Sequence, residues 1–172
     1  MTGAYRAPEQ LAAHHDVSGF TCRSIEQTDW LRRRARQSAA TGTTRVFVVT
    51  ETDSSVVVAY YGWCMSQLVT ATAPARLLKG AGRYPQPVAL LARLGVDAAH
   101  EGRGLGAALL QDVFARLVAL SDDIGCRGLL VHAESVEARE FYLHLVPELE
   151  PSPTDDLHLV ILMKDVRRTL GR

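Results

Sequence analysis

Apolar positions along this chain alternate between helical and strand spacing. Ile25, Leu31, Ala35 and Ala39 recur at helical intervals behind Ser24-Ile25-Glu26-Gln27. That quartet fits a capping box, with serine as N-cap and Gln27 at the third helical position. The spacing predicts a helix from Ser24 to a glycine cap at Gly42. RVFVVT (45–50) and VVVAYYGWCMSQLV (56–69) are rich in β-branched and aromatic residues and flank a short polar turn, which predicts an antiparallel hairpin. Residues 70–87, with three prolines and two glycines, read as loop. VALLARLGV (88–96) reads as a strand covered on both faces.

A helix is expected over about 104–120, with Leu105, Leu109, Val113, Leu117 and Leu120 on one face and Leu110, Phe114 and Val118 on a second. GLLVHA (128–133) follows as a strand and SVEAREFYLHL (135–145) as a helix capped by Ser135. Pro147, Pro151 and Pro153 mark a loop before a last strand, LHLVILM (157–163). Residues 1–20 show no period. Residues 1–17 are read as a flexible N-terminal arm and 18–172 as one domain. The order helix, hairpin, strand, helix, strand, helix, strand predicts a single mixed α/β sheet with helices on its faces.

Length and composition exclude several classes. The 172 residues suit one domain with a real core. No apolar run approaches the roughly eighteen residues of a membrane helix. The first twenty residues lack the basic flank and apolar core of a secretory signal. Cys22, Cys64 and Cys126 are far apart and form no C-x-x-C pair, so neither a zinc site nor a disulfide framework is expected. No metal is expected, and the reading is of reduced thiols in a cytoplasmic protein. Net charge is zero, but residues 1–93 hold eleven Lys/Arg against six Asp/Glu, and residues 94–172 hold eight against thirteen. Such asymmetry suits a polyanionic partner or an unevenly solvated surface.

Chemistry concentrates in HEGRGLGAALL (100–110). It lacks the lysine of a phosphate-binding Walker loop, and after Gly104-Leu105-Gly106 it lacks the third glycine of a dinucleotide fingerprint. What remains is a buried strand, a short loop and glycines at a helix start. There the first N–H groups and the helix dipole favour an anion. A tight turn without a ligand is the other reading.

The segment resembles the acetyl-CoA signature of the GNAT N-acetyltransferases, Q/R-x-x-G-x-G/A. Glu101 stands in the Q/R place, followed by Gly102, Arg103, Gly104, Leu105 and Gly106. The resemblance implies a mixed, mostly antiparallel central sheet flanked by helices, an α/β (α+β) single domain. It also implies acetyl-CoA as co-substrate, with its pyrophosphate on main-chain amides of 101–106. Glu101 is then expected to point to solvent. The strand before the loop would carry the pantetheine arm on Leu94, Gly95 and Val96. The family's N-x-x-A-x-x-x-Y is matched by Ser135, Ala138 and Tyr142, with serine for asparagine. The resemblance makes Tyr142 the general acid that protonates the departing thiolate; packing beside Phe141 is its alternative role. Of the histidines only His132 is singled out for testing, and no catalytic base is named.

Flanking stretches from about residue 18 to 168, including DWLRRRARQSAATGTTRVFVV and EPSPTDDLHLVILMKD, resemble the GNAT toxins of toxin–antitoxin pairs. That branch implies acetylation of the α-amino group of aminoacyl-tRNA and a block of translation. It also implies a ribbon-helix-helix antitoxin as partner and a homodimer. Arg32, Arg33, Arg34, Arg36, Arg45, Arg76, Lys79, Arg83 and Arg93 are then candidates for tRNA phosphates. The 32–36 cluster fits a solvated helix face or an antitoxin contact equally well. After Tyr142, LHLVPELEPSP lacks the family's Gly-Phe turn, with Pro147 in its place. Two other functions remain open: acetylation of a small amine or protein N-terminus, and an antitoxin-binding module without catalysis.

Overall fold

The computed structural model describes residues 4–171. In chain order it forms β1 (Glu9–Gln10), α1 (Ile25–Arg33), α2 (Ala35–Thr41), β2 (Arg45–Thr50), β3 (Val57–Leu68), α3 (Ala75–Leu78) and β4 (Gln86–Val96). Then come α4 (Leu105–Ser121), β5 (Gly128–His132), α5 (Val136–Leu145), β6 (Glu150–Ser152), β7 (Asp155–Leu162) and α6 (Met163–Leu170). The strands build one seven-stranded sheet in the order β1-β2-β3-β4-β5-β7-β6. The chain divides into two compact units: Met1–Cys64 with Ala92–Asp112, and Met65–Leu91 with Val113–Arg172.

In the first unit the hairpin forms as expected, β2 pairing antiparallel with β3 through Val46↔Gly62 and Val48↔Tyr60. Ser24 caps α1, its Oγ accepting from the Gln27 N–H at 3.1 Å. Gln27 itself is buried, and its backbone carbonyl accepts from the Tyr60 hydroxyl at 2.6 Å. The single helix expected here breaks at Arg34, where φ is −122° and ψ −23°, and resumes to the left-handed cap at Gly42. Ile25 does not join the apolar face: it is 80% exposed. It lies six residues before Leu31, about 120° away around the helix. Trp30, Leu31 and Ala35 pack instead with Val17, Phe20, Val46, Val48, Val57 and Tyr60.

Between Tyr5 and Val17 the segment read as an arm makes contacts with the rest of the first unit. Tyr5 bridges Glu51, Glu9 pairs with Val48, and Val17 is in the core. An Arg36 Nη donates to the His15 carbonyl at 2.5 Å. A two-residue strand has no periodicity to detect; pairing with β2 creates it.

In the second unit β4 and β5 run parallel, Leu90 opposite Leu130, and β7 pairs antiparallel with β5 and β6. Leu68, Ala73, Leu77, Val88, Leu130 and Val160 form its core. The loop expected over 70–87 contains α3, whose Leu77 is fully buried, and an Arg127 Nη donates to the Leu77 carbonyl at 2.6 Å. Proline-rich 147–153 holds the edge strand β6, where Pro151 costs no interior ladder bond. The last strand stops at Leu162, and Met163 opens α6, which the sequence pattern did not reveal. Asp165 and Val166 bury that helix. No helix of the described residues is long and apolar enough to cross a membrane.

Candidate active site

The glycine segment turns between a short 3-10 turn (Ala98–His100) and α4. Gly102 and Gly104 adopt φ of +74° and +80°, a conformation L side chains rarely take. Around both, the space a Cβ would occupy is open to 4 Å. Gly106 lies inside the first turn of α4 and has no positive φ. The Gly104 carbonyl accepts from the Ala108 N–H at 3.0 Å, so Leu105, Gly106 and Ala107 present N–H groups without intrahelical partners. The segment is therefore both a tight turn and an open cradle for an anion. Its backbone donors and helix terminus fit the pyrophosphate of acetyl-CoA.

Side chains distant in sequence hold this loop. Asp97 caps the 3-10 turn through the Ala99 N–H at 2.9 Å and accepts from the Thr21 N–H at 3.1 Å. Glu101 is not simply solvated, as expected, but forms a bidentate pair with Arg23 at 2.9 and 3.1 Å. The carboxylate's charge beside the cradle is thereby balanced. Arg103 donates to the Tyr5 hydroxyl at 3.0 Å. Neither Arg23 nor Tyr5 carried a sequence signal. On the preceding strand Leu94 and Val96 are half-buried. Gly95 backs onto the core, where a Cβ would lie 3.1 Å from Tyr60, 3.3 Å from Cys22 and 3.4 Å from Phe20.

In the second unit Ser135 caps α5 as expected, its Oγ accepting from the Ala138 N–H at 3.1 Å. Tyr142 is buried one turn before the helix end, with its ring edge-on to Phe141 at 5.3 Å. Burial, and then the Glu134 carboxylate, raise the Tyr142 phenol well above its ordinary pKa. It therefore stays protonated across the neutral range, as a proton donor must. The Val146 N–H, donated to the Tyr142 carbonyl at 2.8 Å, closes α5 without a Gly-Phe turn, and Val146 and Leu149 are buried beyond it.

His132 at the end of β5 stacks on His158 at 3.9 Å. Burial first, and His158 second, lower its pKa from 6.5, while Asp155 opposes them. The folded state therefore binds this proton less readily than the unfolded chain, so His132 withdraws stability as pH falls below about 6.5. The expected result is a Tm that drops between pH 7 and pH 5, and a smaller drop in His132→Phe. An equal drop in the variant would assign the acid sensitivity elsewhere.

The arginines separate into two groups. Arg36 and Arg45 donate to backbone carbonyls, Arg45 to that of Ala39 at 2.9 Å. Arg93 pairs with Glu26 at 2.8 Å and lies 5.3 Å over the Trp30 ring, which is how an arginine stands in so apolar a strand. Arg93, Trp30, Glu26, Asp29 and Arg34 border a groove of 630 Å³ in the first unit. Arg76 binds Glu150 at 2.9 Å and the buried carboxylate of Asp165 at 3.0 Å. Its charge is thus spent within the fold. Arg76→Ala is expected to lower the Tm by leaving Asp165 with Arg168 alone, while KM for the polyanionic substrate that the resemblance implies stays unchanged. A raised KM at unchanged Tm would contradict that assignment. Among the described residues Arg32, Arg33, Arg34, Lys79 and Arg83 are exposed and form no ion pair.

Glu9, His14 and His15 also come together, although no spacing announced them. Buried His15 accepts the Ala12 N–H on Nδ1 at 2.8 Å and faces Glu9 through Nε2 at 2.9 Å. Both ring nitrogens of His15 are therefore already engaged by protein groups.

Comparison with known proteins agrees with this geometry. The model of the acetyltransferase (GNAT) family matches residues 15–145. The chain is 42% identical over 171 residues to a tRNA-acetylating toxin of Mycobacterium tuberculosis (strain ATCC 25618 / H37Rv), covering 99% of each. Its fold resembles AtaT complexed with acetyl-methionyl-tRNAfMet, with a TM-score of 0.85, 22% identity and coverage of 95% of this chain and 98% of that one. It likewise resembles a mutant AtaT toxin bound to the C-terminus of the antitoxin AtaR, with a TM-score of 0.83, 20% identity and coverage of 98% and 99%. With the family model spanning most of the chain and a full-length relative this similar, the protein belongs to the GNAT family of acetyltransferases.

Proposed function

We propose that this protein is an acetyl-CoA-dependent N-acetyltransferase acting as a toxin, which acetylates the α-amino group of aminoacyl-tRNA and so blocks translation. The observation that carries the reading is the open glycine cradle, with Gly102 and Gly104 at positive φ ahead of α4. Identity of 42% to a tRNA-acetylating toxin supports the substrate class.

In this reading acetyl-CoA supplies a thioester whose acetyl carbon is attacked by the amine. Main-chain groups of 101–106 hold the pyrophosphate, and the backbone of Leu94, Gly95 and Val96 aligns the pantetheine arm. Ser135 and Ala138 fix the start of α5, which carries Tyr142. As the amine–carbon bond forms and the carbon–sulfur bond breaks, the Tyr142 hydroxyl gives its proton to the sulfur. A large fraction of an aminoacyl ester amine is already neutral near pH 7, so no base is needed before attack; afterwards the nitrogen gives its extra proton to solvent, and solvent returns one to Tyr142. Arg32, Arg33, Arg34, Lys79 and Arg83, exposed and without an ion pair, are the cations left to meet tRNA phosphates. The branch resemblance supports a ribbon-helix-helix antitoxin as partner, a homodimer and a cytoplasmic setting.

The test is label transfer from acetyl-CoA to total tRNA, half aminoacylated and half stripped. Label confined to the charged pool is the expected result. No label in either pool, from protein that binds CoA, would redirect the assignment to a small amine or a protein N-terminus.

A further inference from the structure

Tyr5 lies far from the signature in sequence, yet it touches the signature at two points. Its hydroxyl is 2.8 Å from His100 Nδ1 and accepts from an Arg103 Nη at 3.0 Å. Since Arg103 must donate, the phenol proton is free to go to His100. The Tyr5 and His100 rings meet edge-on at 5.7 Å. His100 Nε2 lies 3.8 Å from Glu51, the residue that Tyr5 bridges through its backbone. Residues 4–6 are held against 50–52 by Arg6 N–H to Thr50 O and Thr52 N–H to Ala4 O, both 2.9 Å. The phenol is thus presented from a fixed backbone.

We propose that Tyr5 is a positioning residue for the co-substrate: its hydroxyl orients the Arg103 guanidinium so that the remaining donors meet a phosphate of CoA. The inference rests on the acetyl-CoA reading above. An exposed arginine is a flexible side chain, and binding an anion must suppress that freedom. A neutral hydroxyl that accepts one N–H restrains the side chain beforehand. It leaves the positive charge intact and four N–H donors unused. A carboxylate at the same place would cancel the charge. Glu101, the acid nearest in sequence, is instead occupied by Arg23. The N-terminal segment therefore tunes affinity for the anionic donor without touching the reacting atoms.

The test is calorimetric titration with CoA, which needs no turnover, on wild type, Tyr5→Phe, Arg103→Ala and the double variant. Tyr5→Phe is expected to weaken CoA binding about threefold to tenfold, the range of one hydrogen bond. Its KM for charged tRNA is expected to stay at the wild-type value, and its Tm to fall by no more than the loss of one half-buried hydrogen bond to His100. Arg103→Ala should weaken binding further, and adding Tyr5→Phe to it should change nothing more, because both act through one guanidinium. Wild-type affinity in Tyr5→Phe, or additive effects in the double variant, overturns the proposal while leaving the acetyl-CoA reading in place. A wild-type protein that binds no CoA overturns both.

Discussion

Gly104→Val is expected to weaken CoA binding about 100-fold in a protein that remains folded. Two effects combine. At φ +80° an L residue costs roughly 1–2 kcal/mol, and a β-branched one fits worse still. The space the side chain enters is free of protein atoms to 4 Å, so packing is not what demands glycine there. An anion approaching the N–H groups of Leu105 and Gly106 would meet that side chain instead of bare backbone. Gly104→Ala separates the terms, since it carries the strain with the smallest obstruction and should fall between wild type and valine. Titration with CoA, alongside thermal unfolding, reads both. Valine that binds CoA like wild type would remove the cradle from the mechanism.

Tyr142→Phe is expected to reduce kcat about 100-fold or more, with CoA affinity within about twofold of wild type. The ring is 5% exposed and packs on Phe141, so phenylalanine keeps its place and loses only the hydroxyl. Among the described residues no protein group hydrogen-bonds to that hydroxyl, so its removal orphans nothing. Burial and Glu134 keep the phenol protonated, and the wild-type rate should show no alkaline limb from this group through the neutral and mildly basic range. The loss should therefore be the same at pH 7 and pH 8.5. In cells the same substitution should relieve growth arrest if the protein is a toxin. Unchanged kcat would return Tyr142 to a packing role.

Local signals were legible wherever one residue type solves a local backbone problem. Ser24 and Ser135 both cap the helices expected of them, and Gly42 takes the left-handed C-terminal position. The hairpin, β4, α4 and β5 follow runs long enough for a period to show. β1 and β6 did not show, because two or three residues carry no period and an edge strand exists only against its neighbour; the eight-residue α6 follows directly on the last strand, with no cap residue between them to mark its start. Ile25 lies off the buried face because Trp30 and Leu31, not Ile25, anchor α1 on the core.

The charged residues mark the division most clearly. The sequence alone determined the helix caps, the hairpin, the glycine turn at 102–106 and the serine, alanine and tyrosine spaced along α5. Each of these depends on residues in one short stretch of chain, the hairpin being the longest. Only the tertiary structure decided which arginines remain available to a polyanion. Arg76 meets Asp165 across 89 positions, Arg93 meets Glu26 across 67, and Arg23 meets Glu101 across 78. It also decided that Tyr5 reaches Arg103 across 98. A side chain's charge is written in the sequence, but its availability depends on what folding brings within about 3 Å, a distance at which one partner replaces another.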